Sequence, residues 1–199
     1  MSPIRIFLAT GAIAGVIFAS SFASPAVVVR PVAADAYKID AVHSSVVFKA
    51  KHQNVSWGFG RFNDISGTIT YDEAKPESSK VDLTIKTESV DTANGKRDGH
   101  LKSPDFFDAK QFPTATFVSK SVKSKDKKLA VTGDLTIRGV TKSITIDVEV
   151  TGVAKDGQGG ELAGFYTEFT IQRTDFGVNY GQGGIGTDVT LMIGIEAAK

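Results

Sequence analysis

Few side chains in this sequence are equipped for covalent or acid–base chemistry. There are three histidines (His43, His52 and His100), Asp98 close to the last of them, and no cysteine. Histidines two apart on a strand or four apart on a helix deliver two ligands to one ion, and no pair here has either spacing. His43 and His52 are nine apart, on opposite faces of any regular strand, so no metal site is assigned. The lack of cysteine removes disulfides, thiolate nucleophiles and thiolate metal ligands together. No Gly-x-Ser-x-Gly elbow presents a nucleophilic serine, and the serines beside His43 are only its neighbours in sequence. Gly181-Gln-Gly183-Gly-Ile-Gly186 has the spacing of a dinucleotide fingerprint. That motif must open a helix whose N-terminus meets a pyrophosphate, whereas Asp188–Ile195 alternates as a strand. A glycine-rich hairpin loop is expected there. No catalytic residue and no cofactor are assigned.

The aromatic residues say more. Thirteen phenylalanines and one tryptophan supply bulky apolar surface. Four of the phenylalanines lie, with aliphatic residues, on strand faces that alternate with polar residues: Val46 and Phe48, Ile69, Leu83 and Ile85, Phe117, Leu135, Ile146, Phe165 and Phe169, and Leu191 and Ile193. These twelve are the expected inward positions of about eight strands. Their connections are short, as at Asp72–Ser79, Lys123–Lys128, Arg138–Thr141 and Lys155–Glu161, which implies antiparallel neighbours. Strands apolar on one face fit either a closed barrel or a two-sheet sandwich, and periodicity leaves that choice open.

Two stretches break the alternation. Gln53–Phe62 reads as a short turn or one-turn helix carrying Trp57. Asn94–Pro113 places Arg97, His100 and Leu101 at helical spacing, with Thr92 or Asn94 as cap. Ser103-Pro104-Asp105 then reads as the start of a second short helix. Phe106, Phe107 and Phe112 follow as an apolar closure of one end, with Trp57 as a further closure residue. Arg97 and Asp98 are expected to fasten this stretch by a salt bridge, and Asn94, Arg97 and His100 are the candidates for a polar ligand group.

The chain has 199 residues, 41% hydrophobic and 23% charged, which suits one globular domain. Its formal charge is +1, and residues beyond 36 carry 21 basic and 21 acidic side chains, so no broad field favours nucleic acid. Arg5, the uncharged run Ile6–Phe22 and Ala34-Asp35-Ala36 read as a secretory signal over residues 1–36, cut after Ala36, with Ala23 and Ala34 as alternatives. An uncleaved anchor is the competing reading. Either places the domain, residues 37–199, outside the cytoplasmic membrane, and the periplasm is the expected compartment.

Tyr37-x-Ile-Asp-x-x-His43-Ser44 followed by Val-x-Phe48 resembles the opening strand of the YceI-like proteins. Asn94-x-x-Arg97-Asp98-x-His100-Leu101-x-Ser103-x-x-Phe106-Phe107-Asp108 with Phe112-Pro113 resembles that family's most distinctive motif. Gly133-x-Leu-Thr-Ile-Arg138-Gly139, Arg173-x-Asp175-Phe176-Gly177 and Val189-x-Leu-x-Ile resemble its later blocks. The resemblance implies an all-β, eight-stranded, lipocalin-like antiparallel barrel that holds a polyisoprenoid or similar long-chain amphiphile, such as an isoprenoid quinone or prenyl lipid, in its lumen. The twelve inward positions would then line the lipid site. An enzyme acting on such a lipid, and a fully packed structural protein, are the alternatives. Transient contact with a membrane or membrane proteins fits such a role, and oligomeric state stays open, a dimer included.

Overall fold

A computed structural model describes residues 36–199. The leader expected over residues 1–36 lies outside the described residues except Ala36, which pairs with Thr70. Eleven strands appear in order: β1 (Ala36–Ile39), β2 (Ser45–His52), β3 (Ser56–Phe62), β4 (Ile65–Thr70), β5 (Lys80–Lys86), β6 (Val90–Asp91), β7 (Thr114–Lys125), β8 (Lys128–Ile137), β9 (Val140–Lys155), β10 (Glu161–Gln172) and β11 (Ile185–Ala198). One helix, α1 (Gly95–Lys102), separates β6 from β7.

These segments make eight staves. β1 and β2 both lie along β11, β3 and β4 run back beside them, and β5 and β6 return along β4 and β3. β7 to β11 then follow as an antiparallel meander, and β1 pairing with both β4 and β11 closes the ring. The structure thus decides for the eight-stranded barrel over the sandwich. The stretch expected as a turn around Trp57 is instead the second arm of a β2–β3 hairpin. Its residues alternate, with Gly60 and Phe62 buried and Trp57, Phe59 and Arg61 outside, and glycines at inward positions had hidden that alternation.

Inward residues of every stave form one core, including Val46, Phe62, Leu83, Phe117, Val131, Leu135, Ile146, Phe165 and Ile193. Each such side chain contributes about 1.5–3 kcal/mol when fully removed from water. The alternation breaks once within β7, where the register shifts between Ser119 and Ser121, and Val122 then turns inward. Gly67 sits in β4 at φ 147°, and a Cβ there would lie 2.0 Å from the Asp82 carbonyl oxygen. Gly67→Ala is expected to lower stability by about 2 kcal/mol or more, read as a shift in the urea midpoint at unchanged slope.

The end bearing the β7–β8 and β9–β10 turns is fastened by Glu161. Its carboxylate accepts from the Tyr37 hydroxyl, from Lys155 Nζ at 3.0 Å and from Lys199 Nζ at 2.6 Å. These hydrogen bonds, that from Lys199 foremost, pull its pKa down to about 2 from an ordinary value of 4.5. A depressed carboxylate stabilises the fold above its unfolded pKa, and the contribution disappears as pH falls through the folded one. Glu161→Gln should therefore flatten the melting-temperature profile between pH about 4.5 and about 2, measured calorimetrically against the parent protein. An unchanged acid limb would show that Glu161 is not the clasp.

Candidate functional site

The barrel interior holds a cavity of about 210 Å³. All twelve inward positions named from the sequence line it: Val46, Phe48, Ile69, Leu83, Ile85, Phe117, Leu135, Ile146, Phe165, Phe169, Leu191 and Ile193. Their placement follows from β periodicity, because residues two apart share a face and every stave offers the same face inward. Val131, Val122, Ala115, Phe176 and Val178 complete the wall, with few polar neighbours, among them Thr116, Thr167 and Arg173. A wall of this kind can remove an apolar chain from water but offers almost no directional contact to orient a reacting group.

Non-strand segments close the end opposite Glu161. α1 begins at Asn94, whose side-chain oxygen accepts from the Arg97 backbone amide at 3.0 Å. This is the expected N-cap. The second short helix does not form. After Lys102 the chain coils through turns, with the Phe107 and Ala109 amides donating to the carbonyls of Leu101 and Lys102 and the Asp108 amide to that of Ser103. Carbonyls at the end of α1 take those amides, so the chain folds back instead of starting a new helix axis. The coil brings Leu101, Phe106 and Phe107 onto the cavity, with Phe107 edge-on to Phe62 at 5.4 Å. Phe112 is not among the lining residues. It packs against Gly139 in the β8–β9 turn, holding the coil from outside the lumen.

The expected polar candidates do not reach the lumen. Arg97 donates from Nε to Thr92 Oγ1 at 2.7 Å and from its terminal nitrogen to the Thr92 carbonyl at 2.8 Å. Asp98 accepts from the Thr92 amide at 2.8 Å and from its hydroxyl at 2.5 Å. The two side chains therefore fasten α1 by gripping Thr92 from both sides, where a salt bridge fastening this stretch to the barrel was expected. His100 lies on the outside of the cap, bonded to Asp105 at 2.9 Å and edge-on to Phe106 and Tyr180. Trp57 is 46% exposed on the outer face of β3, beneath Lys51 and Lys49, and closes nothing.

Two arginines that the sequence reading quoted only within motifs hold the cap together. Arg173, 6% exposed, follows β10 and lines the cavity. Its guanidinium donates to the carbonyls of Gly186 (2.9 Å), Val178 (2.6 Å) and Ile185 (3.0 Å), drawing the glycine-rich loop across the barrel end. Burial lowers its pKa from the ordinary arginine value. That loop runs directly into β11, as expected of a turn and not of a nucleotide-binding helix. Arg138, in the β8–β9 turn, donates to the Gly177 carbonyl at 2.5 Å and to the Pro104 carbonyl at 2.7 Å. One side chain thereby ties the loop to the α1 coil. The available signal was an arginine shortly before a glycine in each of two motifs (Arg138-Gly139 and Arg173 four residues before Gly177), but the accepting carbonyls lie up to 39 residues away and leave no sequence pattern.

The histidines stay apart. His43 meets Asp40 at 2.9 Å and Glu196 at 3.6 Å, and the ligand atoms of these three lie within 4.8 Å of one another. Imidazole and carboxylates are a donor set that divalent ions accept, although His43 and its neighbours lie at the surface. The Asp40 hydrogen bond raises the His43 pKa above its usual 6.5. This pairing therefore stabilises the β1–β2 corner below that value and fades as pH rises through the raised one.

The family model for the YceI-like domain matches residues 37–197. The chain belongs to the YceI-like family. It is 44% identical over 170 residues to the protein YceI of Escherichia coli O157:H7, covering 84% of this chain and 88% of that one. The crystal structure of Burkholderia cenocepacia BcnA superposes with a TM-score of 0.72 at 29% identity, over 80% of this chain and 99% of that one. A polyisoprenoid binding domain from Saccharophagus degradans, implicated in plant cell wall breakdown, shares the fold with a TM-score of 0.60 at 18% identity, over 81% and 97% of the respective chains.

Arg138→Ala should free both cap segments together. Hydrogen exchange is expected to accelerate across residues 95–112 and 177–185 while β8 and β10 stay protected, with a stability loss of about 1–2 kcal/mol. Faster exchange in one segment alone would contradict a shared clasp.

Proposed function

We propose that this protein is a periplasmic binding or carrier protein that takes the apolar tail of a polyisoprenoid or similar long-chain amphiphile into its lumen. The observation that carries this reading is the cavity wall, built from apolar side chains on every stave and left unfilled by them. Burial of each methylene there contributes about 0.8 kcal/mol without any directional contact. A polar head gains little inside, because the guanidinium of Arg173 is already engaged by three carbonyls, so the head stays at the surface. The Saccharophagus degradans domain, which binds polyisoprenoid, has the same fold and so supports the reading. The leader read from residues 1–36 supports export. Binding without chemistry is favoured over an enzyme, since His43 and His100 both face outward and Asp98 is taken up by Thr92.

Organic extraction of protein purified from the periplasm, followed by mass spectrometry, is expected to release an isoprenoid quinone or prenyl lipid. Ala115→Phe adds a ring at the lumen wall and should cut the retained lipid about tenfold, as loss of space for roughly two methylenes implies. Its melting temperature serves as the folding control. A protein that is empty after gentle isolation and takes up no added prenyl lipid would refute the carrier reading.

A further inference from the structure

The barrel wall has a seam. β3 pairs along its whole length with β2, but on its other side β6 meets only Arg61 and Phe62. Among the described residues, Ser56–Gly60 therefore form a strand edge without a ladder partner. The inner side of this edge abuts the cap: a Cβ on Gly60 would lie 2.3 Å from the Phe48 ring and 2.8 Å from Thr92 Cγ2. Only glycine allows the edge to sit so close to the residue that Arg97 and Asp98 grip.

The outer side of the same edge is apolar and exposed. Phe59 is 55% exposed beside Trp57, and Val55 at the hairpin tip is 85% exposed. The tip joins the cap through the Gln53 amide, which donates to the Gly184 carbonyl at 2.6 Å. Register sets Lys51 opposite Trp57, Lys49 opposite Phe59 and Arg61 opposite Val47. From Ala41 to Asn63 the chain carries these three cations and no carboxylate, within a domain whose charges sum to zero. Acids on other strands meet two of them: Glu168 of β10 is 3.5 Å from Lys49, and Asp91 of β6 is the register partner of Arg61. Lys51 is left over the face of Trp57 at 4.5 Å.

We propose that the outer face of the β2–β3 hairpin is a docking surface for anionic phospholipid membranes, placed beside the seam where the β3 edge meets the cap. The proposal rests on the carrier reading for its purpose, though not for its test. Tryptophan and phenylalanine with flanking lysines suit the interfacial zone of a bilayer, where rings enter the headgroup layer and ammonium groups meet phosphate. The contact proposed is with the headgroup layer, and no described helix is long and apolar enough to cross a membrane.

Trp57 is the only tryptophan, so its fluorescence reports on this face alone. The experiment uses protein exported from a bacterial host, its N-terminus defined by mass spectrometry. It is mixed with vesicles of phosphatidylcholine alone or of equal parts phosphatidylglycerol and phosphatidylcholine. Expected are a blue shift of Trp57 emission and co-sedimentation with the anionic vesicles only, both weakened by salt. Lys49→Glu with Lys51→Glu should reduce binding at least about tenfold while leaving the extracted ligand and the melting temperature unchanged. Phe59→Ser should weaken binding with Trp57 still present as the reporter. No blue shift with anionic vesicles, or equal binding by the double variant, would overturn the proposal. So would a blue shift that needs only higher protein concentration and accompanies a doubled mass in light scattering, which would give this face to a second copy. Vesicle binding by a protein that neither carries nor takes up prenyl lipid would leave the docking surface standing and refute the carrier reading instead.

Discussion

A ring of eight strands encloses a space at the limit of what its own inward side chains can fill. Here they do not fill it, and the remaining structure answers that shortfall. Water must be kept from an apolar interior, but strands cannot bend across their own barrel end without losing ladder hydrogen bonds. Closure therefore falls to irregular backbone, whose amides and carbonyls need partners elsewhere. α1 and its coil satisfy many of theirs internally. The glycine-rich loop turns its carbonyls to Arg173, and Arg138 joins the two. Arginine suits this task because its planar fork addresses several carbonyls at once while staying charged.

The two ends of the barrel use different chemistry. At the strand-turn end, Glu161 gathers Tyr37, Lys155 and Lys199, so charges of opposite sign meet and pH can loosen them. At the capped end, Arg138 and Arg173 meet neutral carbonyls, while Asp98 and Asp105 hold Thr92 and His100 on the cap. The Glu161 clasp between β1, β10 and Lys199 therefore loosens as acid protonates it, whereas the carbonyls held by Arg138 and Arg173 do not titrate.

Strand faces were legible in the sequence because β periodicity is local: Val46, Phe48, Leu83, Ile85, Leu191 and Ile193 each declare their side through a neighbour two residues away. The Asn94 cap was legible for the same reason. Barrel closure was not, since β1 meets β11 across most of the chain and the alternation is identical in a sandwich. β3 was missed because glycines occupy inward positions where bulky residues would have marked a strand. What Asn94 and Arg97 hold was not legible: Asn94 accepts the Arg97 amide and Arg97 donates to Thr92, contacts that set α1 on the cap and not in the lumen wall. Arg138 and Arg173 act on main-chain carbonyls, which every residue has and no residue type reveals.

That one guanidinium holds both cap segments has a kinetic consequence. Two independent latches would let the segments fluctuate separately, giving a guest several partial ways out. A shared latch couples them, so its release loosens both places together, while Arg173 keeps its own hold on the loop. In the proposed carrier, how long a guest stays then depends on how often Arg138 lets go, a quantity separate from how well the lumen wall fits the guest.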